Sequence, residues 1–258
     1  TWNIDPMKIE KAMTNRTKVI IPVHLYGNPC NMNAIISIAK KYNLKIVEDA
    51  AEAHGAEYFG KKVGAIGDIG CFSFYGNKTI TTGEGGICVT NNKKLAEKMR
   101  LLKDHGMSSK KRYWHNVIGY NFRMTNIQAA IGCAQLEKLD NFIEIKRQNA
   151  NLYYSLLKKS KKIIFPTEKQ NTKNIYWLYT ILLKDCNIDK IIINLKNQNI
   201  DTRRMFYPIN VLPPYKQSGD FSVSNRISKI GISLPSSVNL KENEINYICE
   251  TLIDAISK

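Results

Sequence analysis

No stretch of this 258-residue sequence stays apolar for the roughly 20 residues that a membrane-crossing helix needs. The start, Thr1 to Pro6, lacks the basic flank and apolar core of a secretory leader. It also opens on threonine and not methionine, so a fragment or a processed product is expected. Cysteine is scattered, at positions 30, 71, 88, 133, 186 and 249, with no Cys-x-x-Cys pair, and the four histidines have no ligand spacing. No metal site and no disulfide framework is expected, and reduced thiols in a cytoplasmic protein follow. The sequons at Asn15 and Asn77 are then chance matches. Acidic residues are the minority, 22 against 38 lysines and arginines, for a net charge of +16. Such an excess raises nucleic acid as a partner. The lysines are dispersed, however, and the clusters at 110–112 and 158–162 lack interleaved aromatics or a nucleic-acid-binding module. We expect no nucleic-acid partner and no membrane; an anionic small molecule fits the charge as well.

What is present is a β-α-β texture. Residues 18–23 form an apolar run of strand length. Asn31 can cap a helix with Ile35, Ile38, Ala39 and Tyr42 on one face, and residues 45–49 read as a second strand. The two strands are predicted to be parallel with a right-handed crossover. Further strands are predicted at 68–75 and 86–90, and a helix through Leu95, Met99 and Leu102. Thr125 caps a long helical region, and a second helix spans 141–157. Beyond the lysine-rich break at 158–162 the pattern predicts strands at 176–183 and 203–207, with helices at 188–195 and 242–256. This alternation suggests a smaller α+β domain. The expected division is residues 1–140 and 141–258.

One window concentrates chemistry. The run from Cys71 to Gly86 places Lys78 on a polar, glycine-rich turn just after a strand. A desolvated lysine there is a nucleophile; a surface lysine in a hairpin turn fits the same window. Asp49 also sits at a strand end, where open parallel sheets bind ligands, and it could equally cap the turn 50–53.

Read together, the block from Glu48 to Ala56 and the Lys78 window resemble the DegT/DnrJ/EryC1/StrS family of pyridoxal-phosphate-dependent sugar aminotransferases. Three more blocks agree in order: Pro22 to Gly27, Gly119 to Met124, and Ser233-Leu234-Pro235. The resemblance implies an α/β chain with an aspartate-aminotransferase-like (fold type I) large domain and a smaller C-terminal α+β domain. It implies that Lys78 bonds to the cofactor aldehyde and later moves a proton, and that Asp49 pairs with the pyridinium nitrogen. Glu52, often glutamine in the family, would lie near the ring hydroxyl, and Ser73 would bind phosphate. Asn121 would reach the phosphate of a neighbouring subunit, which implies a homodimer with shared active sites. The implied reaction takes an amine from an amino acid, usually glutamate, to the C4 ketone of a nucleotide-linked 4-keto-6-deoxy sugar. The product would be of the perosamine or viosamine type, as used in polysaccharide and O-antigen biosynthesis.

Two departures qualify the pattern. Asn210 stands where many relatives carry histidine near the substrate. The family's N-terminal segment, with its phosphate-gripping Gly-Thr loop and ring-stacking aromatic, is absent and nothing before Pro22 replaces it, so an N-terminally truncated chain, poorly soluble or inactive alone, is expected. A non-catalytic binding or assembly module with the same fold is the alternative. A sugar dehydratase is another, although related dehydratases carry histidine where this chain has Lys78.

Overall fold

The structure, a computed structural model, describes residues 1–257. The chain begins with α1 (Pro6–Ala12), β1 (Val19–Ile20), α2 (Met32–Lys41) and β2 (Lys45–Asp49). A hairpin of β3 (Glu57–Tyr58) and β4 (Lys61–Lys62) precedes β5 (Ile69–Ser73) and β6 (Gly86–Val89). Helices α3 (Lys93–Lys103), α4 (Asn126–Leu136) and α5 (Leu139–Leu157) follow. Next come β7 (Ile163–Ile164), β8 (Thr172–Lys173), β9 (Tyr179–Leu183), α6 (Ile188–Asn197) and β10 (Arg203–Arg204). Helix α7 (Ser222–Ile230), β11 (Gly231–Leu234) and α8 (Glu242–Ser257) complete it.

Two compact units result: residues 1–143 with 168–175, and residues 144–167 with 176 onward. The division falls within α5. Residues 168–175 return to the first unit, where β8 pairs antiparallel with β3.

The first unit is built on the sheet β1-β2-β5-β6. Strands β1, β2 and β5 are parallel, as the β-α-β reading requires, and β6 runs antiparallel to β5. Helix α2 makes the crossover. The Asn31 side chain accepts from the Ala34 amide, which satisfies one of the orphan donors at the helix start. Its Met32, Ile35 and Ala39 are buried. Strand β1 is shorter than the predicted 18–23, because Pro22 has no amide hydrogen to give to the ladder. The chain nevertheless stays beside β2: the Asp49 amide donates to the Pro22 carbonyl, and the His24 amide to the Asp49 carbonyl.

The second unit carries an antiparallel sheet, β10-β11-β9-β7. Every residue of β9 and β11 is buried. Their side chains meet Tyr153 and Leu157 of α5, Leu195 of α6, and Ile245, Ile248 and Leu252 of α8 in one core. Each such aliphatic side chain contributes about 1.5–3 kcal/mol by leaving water. On α5, Lys146, Asn149 and Tyr153 are three and four residues apart and share a face. They donate to three consecutive carbonyls after β11: Ser236 at 2.6 Å, Ser237 at 3.3 Å and Pro235 at 2.9 Å. The predicted strand at 203–207 shortens to Arg203–Arg204, and β11 occupies the sheet centre without having been predicted as a strand.

Candidate active site

The register of the parallel sheet assembles the site. Asp49 pairs with Cys71 across β2 and β5, so both strands end at the same edge. Beyond β2 the chain turns, and the Asp49 Oδ1 accepts from the Ala51 amide at 3.1 Å. The aspartate therefore does cap this turn. Its charge also acts on Lys78 and Glu52, so capping the turn does not remove it from their surroundings.

Past β5, the Lys78 amide donates to the Tyr75 carbonyl and the Thr82 amide to the Phe74 carbonyl. The hydroxyl of Thr81 also donates to the Phe74 carbonyl, at 2.9 Å, and Gly83 turns the chain with a φ of 79°. This closed loop turns the Lys78 side chain inward: it is 12% exposed, as is that of Glu52, and the Nζ–Oε1 distance is 3.9 Å. The other Glu52 oxygen accepts from the Tyr26 amide at 2.7 Å. Burial pushes the Lys78 amine below its ordinary value, against the raising charges of Glu52 and Asp49. Burial likewise pushes the Glu52 carboxyl up, and the Asp49 charge adds to that, while the Tyr26 amide and Lys78 oppose it. A surface lysine in a hairpin turn is thus not what the loop holds.

Ser73 closes β5, half-buried, its Oγ accepting from the Tyr75 amide at 3.3 Å. Asn121 is exposed, and its Oδ1 accepts from Arg123 Nε at 3.0 Å. Lys78, Glu52 and Asp49 thus form one electrostatic group, with Ser73 on the adjoining strand end; Asn121 is engaged with Arg123 instead.

Two histidines with no role assigned from sequence lie close by. His54 is buried between Phe72 and Phe74, at ring-centroid distances of 5.4 and 5.7 Å. Neither of its nitrogens makes a hydrogen bond of ordinary geometry. Burial lowers its pKa to about 4; the Ser73 backbone works against this, and the nearby Lys78 charge works with it. His24 and Glu48 form a fully buried pair at 3.1 Å. The Cys30 amide donates to His24 Nδ1, which leaves the ring proton on Nε2 facing Glu48. Glu48 also accepts from the amides of Gly64, Ile66 and Gly67, and so fixes the loop ahead of β5. Burial works to raise this carboxyl, but the His24, Gly67 and Gly64 hydrogen bonds prevail and hold it below the usual carboxylate value. The two residues stood inside the quoted motifs; their separation of 24 positions, near that of two neighbouring parallel strand ends, was the available signal.

Residues 1–253 match the model of the DegT/DnrJ/EryC1/StrS aminotransferase family. The chain belongs to this family. GDP-perosamine synthase of Escherichia coli O157:H7 is 43% identical over 254 residues, which is 98% of this chain and 69% of that protein. The crystal structure of S. venezuelae DesV in complex with a ketimine intermediate superposes with a TM-score of 0.93 at 32% identity, covering 99% of this chain and 70% of DesV. Streptococcus pneumoniae Spr1654, solved in a PLP-form, gives a TM-score of 0.91 at 26% identity over 100% of this chain and 73% of that one.

The family's fold, an α/β fold of type I, is the one described above, and its members are aminotransferases. The residues here fit its cofactor. A shielded primary amine matches an aldehyde, a carboxylate at the strand end matches a protonated ring nitrogen, and a half-buried hydroxyl matches a phosphate. Among the described residues no helix is long and apolar enough to cross a membrane, and no group of three or more His, Cys, Asp or Glu side chains could hold a metal ion.

Proposed function

We propose that this chain transfers the amine of an amino acid, glutamate, to the C4 ketone of a nucleotide-linked 4-keto-6-deoxy sugar, using pyridoxal 5'-phosphate. The observation that carries the reading is the shielded Lys78 amine facing Glu52 in the family's fold. The relation to GDP-perosamine synthase supports a GDP-linked sugar as the first substrate to assay.

When bound, the cofactor supplies an aldehyde that accepts amines and a ring that takes up the electron pair released at the substrate carbon. Lys78 provides the amine that bonds to it and then, released, carries a proton on Nζ. Asp49 keeps the ring nitrogen protonated by charge attraction. Ser73 binds phosphate through its hydroxyl, and Asn121 does so toward a second copy of the chain in a homodimer. Glu52 faces the ring hydroxyl. His54, with its pKa lowered to about 4, adds no positive charge beside Lys78 near neutral pH. The balance is glutamate plus 4-keto sugar giving 2-oxo acid plus 4-amino sugar, a cytoplasmic reaction of water-soluble reactants.

The test mixes the protein with pyridoxal phosphate, reduces it with borohydride and maps the pyridoxyl mass by peptide mass spectrometry. The expected adduct is on Lys78, together with glutamate-dependent consumption of a GDP- or dTDP-linked 4-keto-6-deoxy sugar. No adduct on Lys78 in a folded protein would overturn the assignment.

A further inference from the structure

Glu52 and Lys78 are arranged more narrowly than a lysine with a nearby counter-ion. Both side chains are largely withdrawn from water to the same degree, and one carboxylate oxygen is committed to the Tyr26 amide. The free oxygen, Oε1, is the one that faces Nζ. At 3.9 Å the two groups are an ion pair, longer than a hydrogen bond, and transfer requires them to close to hydrogen-bond distance. The Asp49 charge reaches both residues, and the Lys78 charge in turn acts on the neighbouring His54.

We propose that Glu52 is the internal proton acceptor of Lys78: the ammonium proton passes to Oε1, leaving a neutral amine beside a neutral carboxylic acid. The step is Lys78-NH3+ plus Glu52-COO− giving Lys78-NH2 plus Glu52-COOH, with no net charge entering or leaving. In water the two groups differ by about six pH units, which strongly favours the charged pair. Withdrawal from solvent penalises two charges and not two neutral groups, so burial moves the balance toward the transferred state. Glutamine at this position can hold the Tyr26 amide but cannot take a proton. Glu52 thereby gives this chain a way to present a nucleophilic amine without releasing a proton to solvent. This rests on Lys78 being the nucleophile of the proposed function.

The test is read on the intact protein prepared without cofactor. Short pulses of acetic anhydride are applied across pH 5.5–9.5, and acetylation of Lys78 is quantified by mass spectrometry against exposed Lys93. Because the charged and transferred pairs carry the same number of protons, their ratio does not depend on pH. The expected result for the wild type is a labelling rate that levels off over about two pH units below neutral-to-alkaline pH. In Glu52→Gln the rate should fall about tenfold for each pH unit with no plateau. A tenfold-per-unit fall in the wild type overturns the proposal even if the variant does not fold. So does faster labelling of Glu52→Gln than of wild type at every pH, which would make Glu52 only a stabiliser of the ammonium. Either failure leaves the borohydride adduct on Lys78 untouched, so the two readings fail separately.

Discussion

His24 and Glu48 meet at 3.1 Å with both side chains fully shielded from solvent, and four donors converge on the one carboxylate. Glu48→Gln replaces one accepting oxygen with an NH2 group that faces a donor. The expected loss is about 3 kcal/mol, read as a lower urea midpoint. The sign with pH follows from the depressed carboxyl. Its contribution is complete above the ordinary value of 4.5 and disappears as pH falls through the lower folded value. The gap between wild type and variant should therefore shrink in acid; a constant gap from pH 7 to pH 3 would contradict an ionised Glu48 carboxylate.

Asp49→Asn retains an oxygen for the Ala51 amide, so the turn after β2 should survive. The negative charge felt by Lys78 and Glu52 is lost. A fall of about 10²–10³-fold in kcat with an unchanged melting temperature is expected. Near-normal turnover would remove Asp49 from the site.

Lys146 is buried, and its Nζ donates to the carbonyls of Trp177 and Ser236 at 3.1 and 2.6 Å. Burial lowers its pKa to about 8 from the ordinary 10.5. Between those values the unfolded chain binds the extra proton, so this lysine makes stability rise with pH from 8 upward. Lys146→Met should abolish that rise, which amounts to about 2 kcal/mol by pH 10 in chemical denaturation. The comparison stops there because Tyr153 and Tyr179, whose hydroxyls burial pushes up, act in the opposite direction above it.

Gly70 lies in β5 opposite Glu48, and a Cβ there would overlap the backbone carbonyl of Gly64. Gly64 is itself tied to Glu48 through its amide. Gly70→Ala should cost about 3 kcal/mol by displacing this loop. Thermal melting checks it, and a change below the noise of the measurement would show that the loop gives way freely.

The large-scale plan was legible because hydrophobic runs and caps state it locally. Residues 45–49 are the strand β2, and Asn31 and Thr125 cap the helices expected of them. The rest depends on partners far away in sequence. Strand β11 is four residues long and gains its character only by lying between β9 and β10. The β3–β4 hairpin turns on Phe59 and Gly60, both at positive φ, and its two-residue strands are too short to show an alternating pattern. Lys78 was found by its strand-end position, whereas its shielding and its approach to Glu52 depend on how the loop 74–83 folds back. His54 offered no such cue, since one histidine among alanines and glycines does not announce two flanking phenylalanines.

The donors to Glu48 stand 16, 18, 19 and 24 residues away along the chain. No local turn can supply them, and each requires a loop to close before any gain is realised. We therefore expect the carboxylate to keep its water until β1, β2 and the loop before β5 have met, which places its desolvation late in folding. In kinetic terms it is a latch: breaking it should speed unfolding while leaving the refolding rate near wild type.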